Sequence, residues 1–299
     1  MPAWDEILEE VNTSSLTIDG IRRNYLKQLS DYTGRNVILY YSNFLGATAT
    51  ANATLDFGIN DTDKTGFMTC IHNMDTIKGV DVILHTPGGQ IPATESLVYY
   101  LKSIFGNNIR AIVPQIAMSA GTMIALSCSE IIMGKQSNLG PIDPQYGPYR
   151  AHGIIEEFNN AVNCAAQGKP DFQVWQFILN KYTPTLIGEC QKSITWSDSL
   201  VKEWLKQNMF EGQGDAEAKA DDIVKYLGSH SLTYSHSRHI HIDDLLKLGV
   251  KVVKMEEDQN LQDLILSVHH STMITFNRTK AYKIIENQEG KAFVLASVG

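Results

Sequence analysis

The sequence predicts an α/β fold, in which repeated βα units surround a mainly parallel sheet and further helices lie at both ends. Three short apolar runs carry this prediction, since DVILHT, IRAIVP and EIIMG alternate with stretches of helical periodicity. Continuous apolar strands of this kind are typical of a parallel sheet that helices cover on both faces. At 299 residues and 43% hydrophobic content, the chain is also long and apolar enough for a sizeable core.

Composition argues against several classes of protein. The formal net charge is −8 and Lys and Arg form no cluster, which argues against a nucleic-acid partner. No uninterrupted apolar run approaches the ~20 residues of a membrane-spanning helix, and the acidic start MPAWDEILEE does not resemble a secretory signal. The four cysteines lie far apart without a metal-ligand spacing. We therefore expect a cytoplasmic protein without a metal, a disulfide framework or another cofactor.

The N-terminal part is expected to hold two helices, a strand and a loop. Apolar spacing predicts a helix pair over residues 5–31, within an N-terminal helical segment of residues 1–34. The β-branched and aromatic run NVILYYS, residues 36–42, predicts the first strand. The polar residues 46–63 predict a loop, and residues 64–74 predict a helix that leads into the βα units.

The main domain is expected to span residues 35–255 and to become helical after Asp143. Thr183 followed by Pro184 predicts the start of a long amphipathic helix, with the threonine hydroxyl as its cap. Residues 211–222 are polar and predict a connector between helices.

The remaining residues predict a short helix and then a C-terminal helical segment. HSLTYSHSRHIHIDDLLKLGV predicts an extended piece followed by a short helix that Gly249 ends. Residues 256–299 form the expected C-terminal segment, with helical character from 260 to 286. Its mixed polarity suits a contact in a homo-oligomer.

Two features that follow predicted strands suggest a ligand site. One is the turn Pro87-Gly88-Gly89 and the other is Ser119, and ligand sites gather at the carboxyl ends of parallel strands. Ser119 at a helix start has two interpretations. It can simply cap the helix, or it can act as a nucleophile, with the N–H group of Ala120 and the glycine turn stabilising an oxyanion.

Three blocks of sequence resemble the serine dehydrogenase proteinase family. These are LHTPGG, AMSAGTMIALSCSEIIMG and SNLGPIDPQ, and the likeness extends over approximately residues 20–290. The family is related to signal peptide peptidase A and, more remotely, to the Clp protease proteolytic subunit and the crotonase fold. The resemblance implies a Clp protease/crotonase-like fold and a peptidase that uses a serine and a lysine. It makes Ser119 the nucleophile and Gly88, Gly89 and Ala120 the oxyanion hole.

A serine nucleophile needs a base, and the sequence offers histidine and lysine candidates. A Clp-type enzyme has a histidine roughly two dozen residues after the serine, but no histidine lies between His85 and His152. A Clp-type triad is therefore not expected, and His152 is a weak candidate because it follows a Gly-Pro turn. A lysine can act as the base if burial keeps its amine neutral.

Four lysines that follow the serine in the sequence are candidates for the base. Lys192 is preferred because its helical neighbours Gly188 and Trp196 leave room and offer an apolar wall. Lys169 is the second choice, ahead of Lys135 and Lys181. The alternative that Lys192 is an ordinary solvated side chain remains open.

The other polar clusters are weighed against simpler interpretations. His236, His239 and His241, with His230 nearby, suggest a metal site, but no carboxylate or cysteine has ligand spacing to them. They are more simply part of a polar strand or turn near the cleft. Asp143 is expected to order the turn beneath the site.

The preferred function is therefore a serine endopeptidase of the Ser-Lys dyad type that acts on a peptide or protein substrate. A catalytically inactive peptide-binding or scaffold protein of the same fold is the alternative, in which Ser119 only caps a helix. Acyl-CoA chemistry of the crotonase type is a weaker third possibility, because the chain is acidic. A homo-oligomer is expected. Any ATP-driven step would come from a separate regulator or unfoldase, since the chain has no GxxxxGKS/T loop.

Overall fold

The computed structural model describes residues 3–46, 55–147, 149–229, 233 and 235–297. The helices are α1 (Trp4–Thr13), α2 (Ile18–Thr33), α3 (Asp61–Ile71), α4 (Ile91–Phe105), α5 (Ala120–Leu126), α6 (Ala151–Ala166), α7 (Phe172–Leu179), α8 (Leu186–Trp204), α9 (Ala216–Gly228), α10 (Ile242–Lys247) and α11 (Gln259–Arg278). Single 3-10 turns span Thr76–Lys78 and Met255–Glu257, and a π-helical turn spans Leu205–Met209.

The strands form one large sheet and two small ones. They are β1 (Asn36–Ser42), β2 (Val80–His85), β3 (Ile109–Val113), β4 (Ile116–Ala117), β5 (Glu130–Met133), β6 (Asn138–Leu139), β7 (Gln145–Tyr146), β8 (Tyr149–Arg150), β9 (Ile240–His241), β10 (Val252–Lys254), β11 (Ala281–Asn287) and β12 (Ala292–Ala296). The large sheet has the order β10-β5-β3-β2-β1-β11-β12. Its first five strands are parallel, while β11 and β12 are antiparallel to their neighbours.

The core lies on both faces of this sheet. Successive residues of a strand point to opposite faces, and Ile38 and Leu39 of β1 accordingly join two different buried clusters. Helices α3, α4 and α5 cover the first face, and α2 and α11 cover the second. The predicted α/β class, with a mainly parallel sheet, is confirmed.

The C-terminal part corrects one prediction. Helix α11 ends at Arg278, and the following residues form β11 and β12 of the large sheet rather than more helix. Ile284 and Ile285 are both buried, on opposite faces. An adjacent apolar pair of this kind fits a strand that is covered on both sides, and helical periodicity alone does not exclude it. The use of this segment in an oligomer stays a prediction.

Three local boundaries also differ from the predictions. Helix α3 begins at Asp61 because Asn60 caps it, so the predicted loop of residues 46–63 ends earlier, and its residues 47–54 lie outside the described residues. Helix α8 begins at Leu186 after Thr185, so Thr183 is not its cap. The second half of the predicted polar connector, residues 211–222, forms the start of α9.

A buried group of aromatic and imidazole rings lies between the sheet and α11. The ring of His85 stacks on that of Tyr41 at 5.0 Å and lies 5.7 Å from that of His269. The Nδ1 atom of His85 is 3.1 Å from the carbonyl oxygen of Ser42, and Nε2 is 3.1 Å from Oε1 of Gln115. Burial lowers the pKa of His85 to about 4 and that of His269 well below its ordinary value.

This ring group predicts acid sensitivity of the fold. A histidine whose pKa is lower in the folded chain than in the unfolded chain binds its proton preferentially on unfolding, so stability is full above pH 6.5 and falls toward pH 4. His85 alone corresponds to about 3 kcal/mol of lost unfolding free energy. Urea unfolding at pH 8, 6 and 5 measures the slope, which His85→Gln should reduce. An equal slope in both proteins contradicts the prediction.

Candidate active site

A groove of about 500 Å³ opens where two strand ends meet. The chain leaves β2 into the turn Thr86–Gly89 and leaves β4 into Met118 and Ser119. The two exits are tied together, because the N–H group of Met118 donates to the carbonyl oxygen of Thr86 at 3.0 Å. The residues that line the groove are Pro87, Gly89, Gln90, Ile91, Pro92, Ser119, Met123, Ile142, Pro144, Gln145, Ser193, Trp196 and His236.

Ser119 occupies an unusual backbone conformation at the start of α5. Its φ is 49° and its ψ is −115°, and its side chain makes no capping hydrogen bond to the helix. An ordinary capping serine has extended backbone and accepts a bond from the helix, so Ser119 is not a simple cap. A non-glycine residue at positive φ costs about 1–3 kcal/mol and such residues cluster at functional sites. The hydroxyl is held at the groove instead.

The glycine turn lies directly against Ser119. A Cβ atom on Gly88 would lie 2.6 Å from Cβ of Ser119, and one on Gly89 would lie 2.1 Å from the nitrogen of Ile59. Their φ angles of 103° and 157° also favour glycine. Both the close approach and the conformation therefore require glycine at these two positions.

Hydrogen bonds determine which N–H groups of the glycine turn and of the start of α5 are available to a ligand in the groove. The nitrogen of Ile59 donates to Gly88 O at 2.7 Å, and Gln90 donates back to Ile59 O at 2.9 Å. Gly89 lies opposite Ile59 in a parallel bridge, and its own N–H group takes no part in these two bonds. Gly88 N–H donates to Oγ1 of Thr86 at 3.2 Å. Ala120 is the first helical residue, so its N–H group lacks an intrahelical partner.

A buried carboxylate holds a histidine at the other side of the groove. Asp143 is fully buried, and its Oδ1 lies 3.0 Å from Nδ1 of His236, whose side chain is 17% exposed. The guanidinium Nε of Arg150 donates to the other carboxylate oxygen. Burial raises the pKa of Asp143, but the bonds from His236 and Arg150 outweigh it, so the pKa lies below its usual value.

This arrangement fixes the tautomer of the imidazole. An ionised carboxylate only accepts hydrogen bonds, so Nδ1 of His236 carries the proton that Asp143 receives. The Nε2 atom of a neutral His236 is then free of a proton and able to accept one. The strand-end turn that carries Asp143 is itself anchored, because Ile142 bonds to Ser197 and to Leu227, each at 3.0 Å.

The predicted lysines lie elsewhere. Lys192 is 75% exposed, and its Nζ is 3.0 Å from a carboxylate oxygen of Glu189. It lines a neighbouring groove that shares Trp196 with the Ser119 groove. Lys169 is exposed in the turn after α6, and no lysine lines the Ser119 groove among the described residues. A lysine acts as a base when burial keeps its amine neutral, and neither of these two side chains is buried. The role of Lys192 or Lys169 as the base therefore stays a prediction, and the placement of these side chains does not favour it.

The sequence interpretation underestimates Asp143 and His236. It predicts a turn-ordering role for Asp143 and only a metal site or a polar strand or turn for His236, and the two lie 93 positions apart. No local spacing signals that they meet. His152, the other imidazole that was considered, lies on α6 rather than in a loop, and it does not line the groove. His230 lies outside the described residues.

A buried lysine, Lys283, supports the chain segment next to the glycine turn, but it does not line the groove. Nζ of Lys283 on β11 lies 2.9 Å from Oδ1 of Asp63 and donates to Gly58 O at 2.7 Å. The hydroxyl of Tyr40 donates to the same carboxylate at 2.8 Å. Gly58 precedes Ile59, which bonds to the glycine turn. The buried ion pair thus holds the segment against which the turn rests.

Comparison with known proteins identifies the family. The family of ClpP-like SDH-type serine proteinases matches residues 44–273, which is more than half of the chain. The chain therefore belongs to this family, and the resemblance found in the sequence is confirmed. Within the described residues, no helix is long and apolar enough to cross a membrane.

Curated proteins and solved structures are also similar to this chain. Two uncharacterized proteins of Methanocaldococcus jannaschii are each 34% identical, over 173 and 175 residues. Each alignment covers 58% of this chain and 51% or 54% of the relative, so the chain spans about half the length of these curated relatives. Among solved structures, a mutant of the 1510-N membrane-bound stomatin-specific protease matches 69% of this chain and 79% of that chain, at 16% identity and a TM-score of 0.40.

The buried pair beneath the turn predicts a large stability effect. Lys283→Met leaves the carboxylate of Asp63 buried without its cation, which costs about 3–5 kcal/mol of unfolding free energy. The double variant with Asp63→Asn removes the orphaned charge and should recover part of this loss. Urea unfolding measures both. Lys27→Met, which breaks an exposed pair with Asp31, is the control and should change stability little. Equal losses in the single and double Lys283 variants contradict the prediction.

Proposed function

We propose that this chain is a serine peptidase in which Ser119 is the nucleophile, His236 the general base and Asp143 the residue that orients the base. One observation carries the proposal: His236 lines the same groove as Ser119 while its Nδ1 is bonded to the buried Asp143. This is the set of roles that a serine hydrolase needs, namely a nucleophile, a base and a carboxylate that fixes the tautomer of the base.

The chemistry follows from these positions. Nε2 of His236 takes the proton of Ser119 as Oγ attacks the peptide carbonyl carbon, and the resulting imidazolium is stabilised by Asp143. The carbonyl oxygen becomes an oxyanion, which the N–H groups of Gly89 and Ala120 stabilise. His236 then protonates the leaving amine, and the acyl-enzyme forms. Water, activated by the same imidazole, releases the acid product and regenerates Ser119.

The two proposed oxyanion donors differ from the sequence hypothesis in one respect. Gly88 was expected to donate as well, but its N–H group is bonded to Thr86. The role of Gly88 is instead to leave space for Ser119, which a Cβ atom would remove.

The inactive alternative is less well supported than the peptidase. It requires Ser119 to serve only as a helix cap, and the side chain makes no capping bond. A peptidase with a Lys192 base needs that side chain to leave Glu189 and enter the groove. Cytoplasmic location, a homo-oligomer and a separate regulator or unfoldase remain part of the proposal.

Substitutions at the groove test the catalytic assignment. Ser119→Ala and His236→Ala should each lower kcat for a fluorogenic peptide by at least about a thousandfold, because each removes a member of one catalytic unit. Thermal unfolding checks that the variants fold. His239→Ala, on the same segment but exposed, is the matched control and should retain activity within about twofold, since it lies outside the groove.

Lys192→Ala separates the two possible bases. With His236 as the base, this variant should cleave peptides and react with a fluorophosphonate probe at nearly the rate of the unsubstituted protein. If Lys192→Ala abolishes both reactions while His236→Ala leaves them unchanged, the lysine mechanism is correct and the proposed histidine mechanism is wrong.

A further inference from the structure

The floor of the Ser119 groove is apolar and closely packed. Met123 of α5 and Ile142 line it, and both side chains are almost fully buried in the core. Ser197 of α8 joins them, because its hydroxyl donates to the carbonyl oxygen of Ile142 at 3.0 Å and lies 3.9 Å from Sδ of Met123. Three separate parts of the chain are thus fixed against one another under the groove.

Trp196 forms one wall of this groove. It is the largest side chain among the described residues that line the groove, and it directly precedes the buried Ser197 on α8. Trp196 is 39% exposed, whereas the floor is covered. The bond from Ser197 to Ile142 holds this part of α8 against the floor, so the indole stays at the groove. A ligand side chain that packs on the exposed indole removes apolar surface from water, which favours binding.

The groove offers no counter-ion to a charged ligand. Among the described residues that line it, none is an aspartate, glutamate, lysine or arginine. The charged groups beside it, Asp143 and Arg150, are paired with each other. A charged substrate side chain would lose water in the groove without meeting an opposite charge, and that loss is unfavourable. The groove therefore disfavours ionised side chains.

The size of the groove places Trp196 close to the reacting bond. Ser119, His236 and Trp196 all line this one space, which has a volume of about 500 Å³. A compact space of that volume measures about 8 Å across, which corresponds to about two or three residues of extended chain. A peptide whose carbonyl carbon is attacked by Ser119 therefore brings the side chain of a residue at or next to the scissile bond to the indole.

We propose that Trp196 is the specificity-determining residue of the Ser119 groove, and that the substrates are peptides with a large uncharged side chain, aromatic or branched aliphatic, next to the scissile bond. This side chain packs on the indole above the floor of Met123 and Ile142, and glutamate and lysine are rejected at the same position. The effect on cleavage rests on the proposed peptidase function, whereas the effect on peptide binding does not.

Three variants isolate the role of the indole. Trp196→Ala removes the wall, and Trp196→Phe keeps an aromatic ring in its place. Phe177→Ala is the matched control, because Phe177 of α7 is an exposed aromatic residue that does not line the groove. Substitutions of exposed side chains usually change stability little, and thermal unfolding checks each variant. Trp196→Gln replaces Trp196→Ala if the alanine variant does not fold.

The cleavage test uses fluorogenic peptides in which one Phe, Leu, Glu or Lys is moved through an alanine-rich background. The unsubstituted protein should prefer Phe or Leu over Ala at one fixed position by about 10- to 100-fold in kcat/KM, and should cleave Glu and Lys peptides no better than Ala peptides. Trp196→Ala should reduce the Phe-over-Ala ratio to less than about threefold, whereas Trp196→Phe and Phe177→Ala should largely preserve it. Cleavage with no positional preference, or with a preference that Trp196→Ala leaves unchanged, overturns the proposal.

A charge placed in the groove tests the rejection of ionised side chains. Ser193 lines the groove about one helical turn before Trp196 on α8. Ser193→Lys should raise the kcat/KM ratio of Glu over Ala peptides by at least about tenfold, because the new ammonium group can pair with the carboxylate. Ser193→Gln, which is long but neutral, should leave this ratio low. A Ser193→Lys protein with an unchanged ratio contradicts the proposed charge selection.

Binding separates the role of Trp196 from the peptidase function. Fluorescence anisotropy with labelled peptides should show the same Phe-over-Ala preference with the uncleaving Ser119→Ala protein, and adding Trp196→Ala should abolish it. If no peptide is cleaved but this preference is found, the role of Trp196 stands and the peptidase function fails. If peptides are cleaved without a preference that depends on Trp196, the peptidase function stands and the role of Trp196 is wrong. If neither cleavage nor preferential binding is found, both fail.

Discussion

The buried carboxylate of Asp143 is the constraint on which the candidate active site depends. A charge with no solvent access must be met by other groups, and here Arg150 and His236 meet it from two separate parts of the chain. Because Arg150 pairs with Asp143, the hairpin of β7 and β8 that carries Arg150 is held next to it. Because His236 bonds to the same carboxylate, its imidazole is held in the groove. The position of the proposed base is thus a consequence of charge burial.

Ser119, the proposed nucleophile, depends on a second constraint, which is steric. Ser119 keeps a positive φ because strand β4 and helix α5 are packed on both sides of it, and Gly88 fits against its side chain where no larger residue would. The glycine turn is itself held by Ile59 and, through Gly58, by the buried Lys283. A rigid backbone of this kind keeps N–H groups aimed at a developing charge without reorganisation.

The sequence predicts those parts of the structure that depend on local residue patterns. Apolar periodicity identified the parallel strands and the N-terminal helices, and two turns that directly follow strands identified Ser119 and the glycines as neighbours. The same method wrongly extends the C-terminal helical character to residue 286, because an apolar pair such as Ile284 and Ile285 fits a helix and a doubly covered strand equally well. The pairing of Asp143 with His236 is not predictable, since the two lie 93 positions apart in the sequence and only the course of the chain brings them together.

A crystal structure of the protein with a peptide boronate tests the central claim most directly. The account predicts a covalent bond from boron to Oγ of Ser119, with Nε2 of His236 within about 2.6–3.2 Å of the adduct. One boronate oxygen should lie about 2.7–3.1 Å from the nitrogens of Gly89 and Ala120. An adduct in which a lysine amine takes the place of the imidazole, or in which the His236 ring faces away from Ser119, would contradict it.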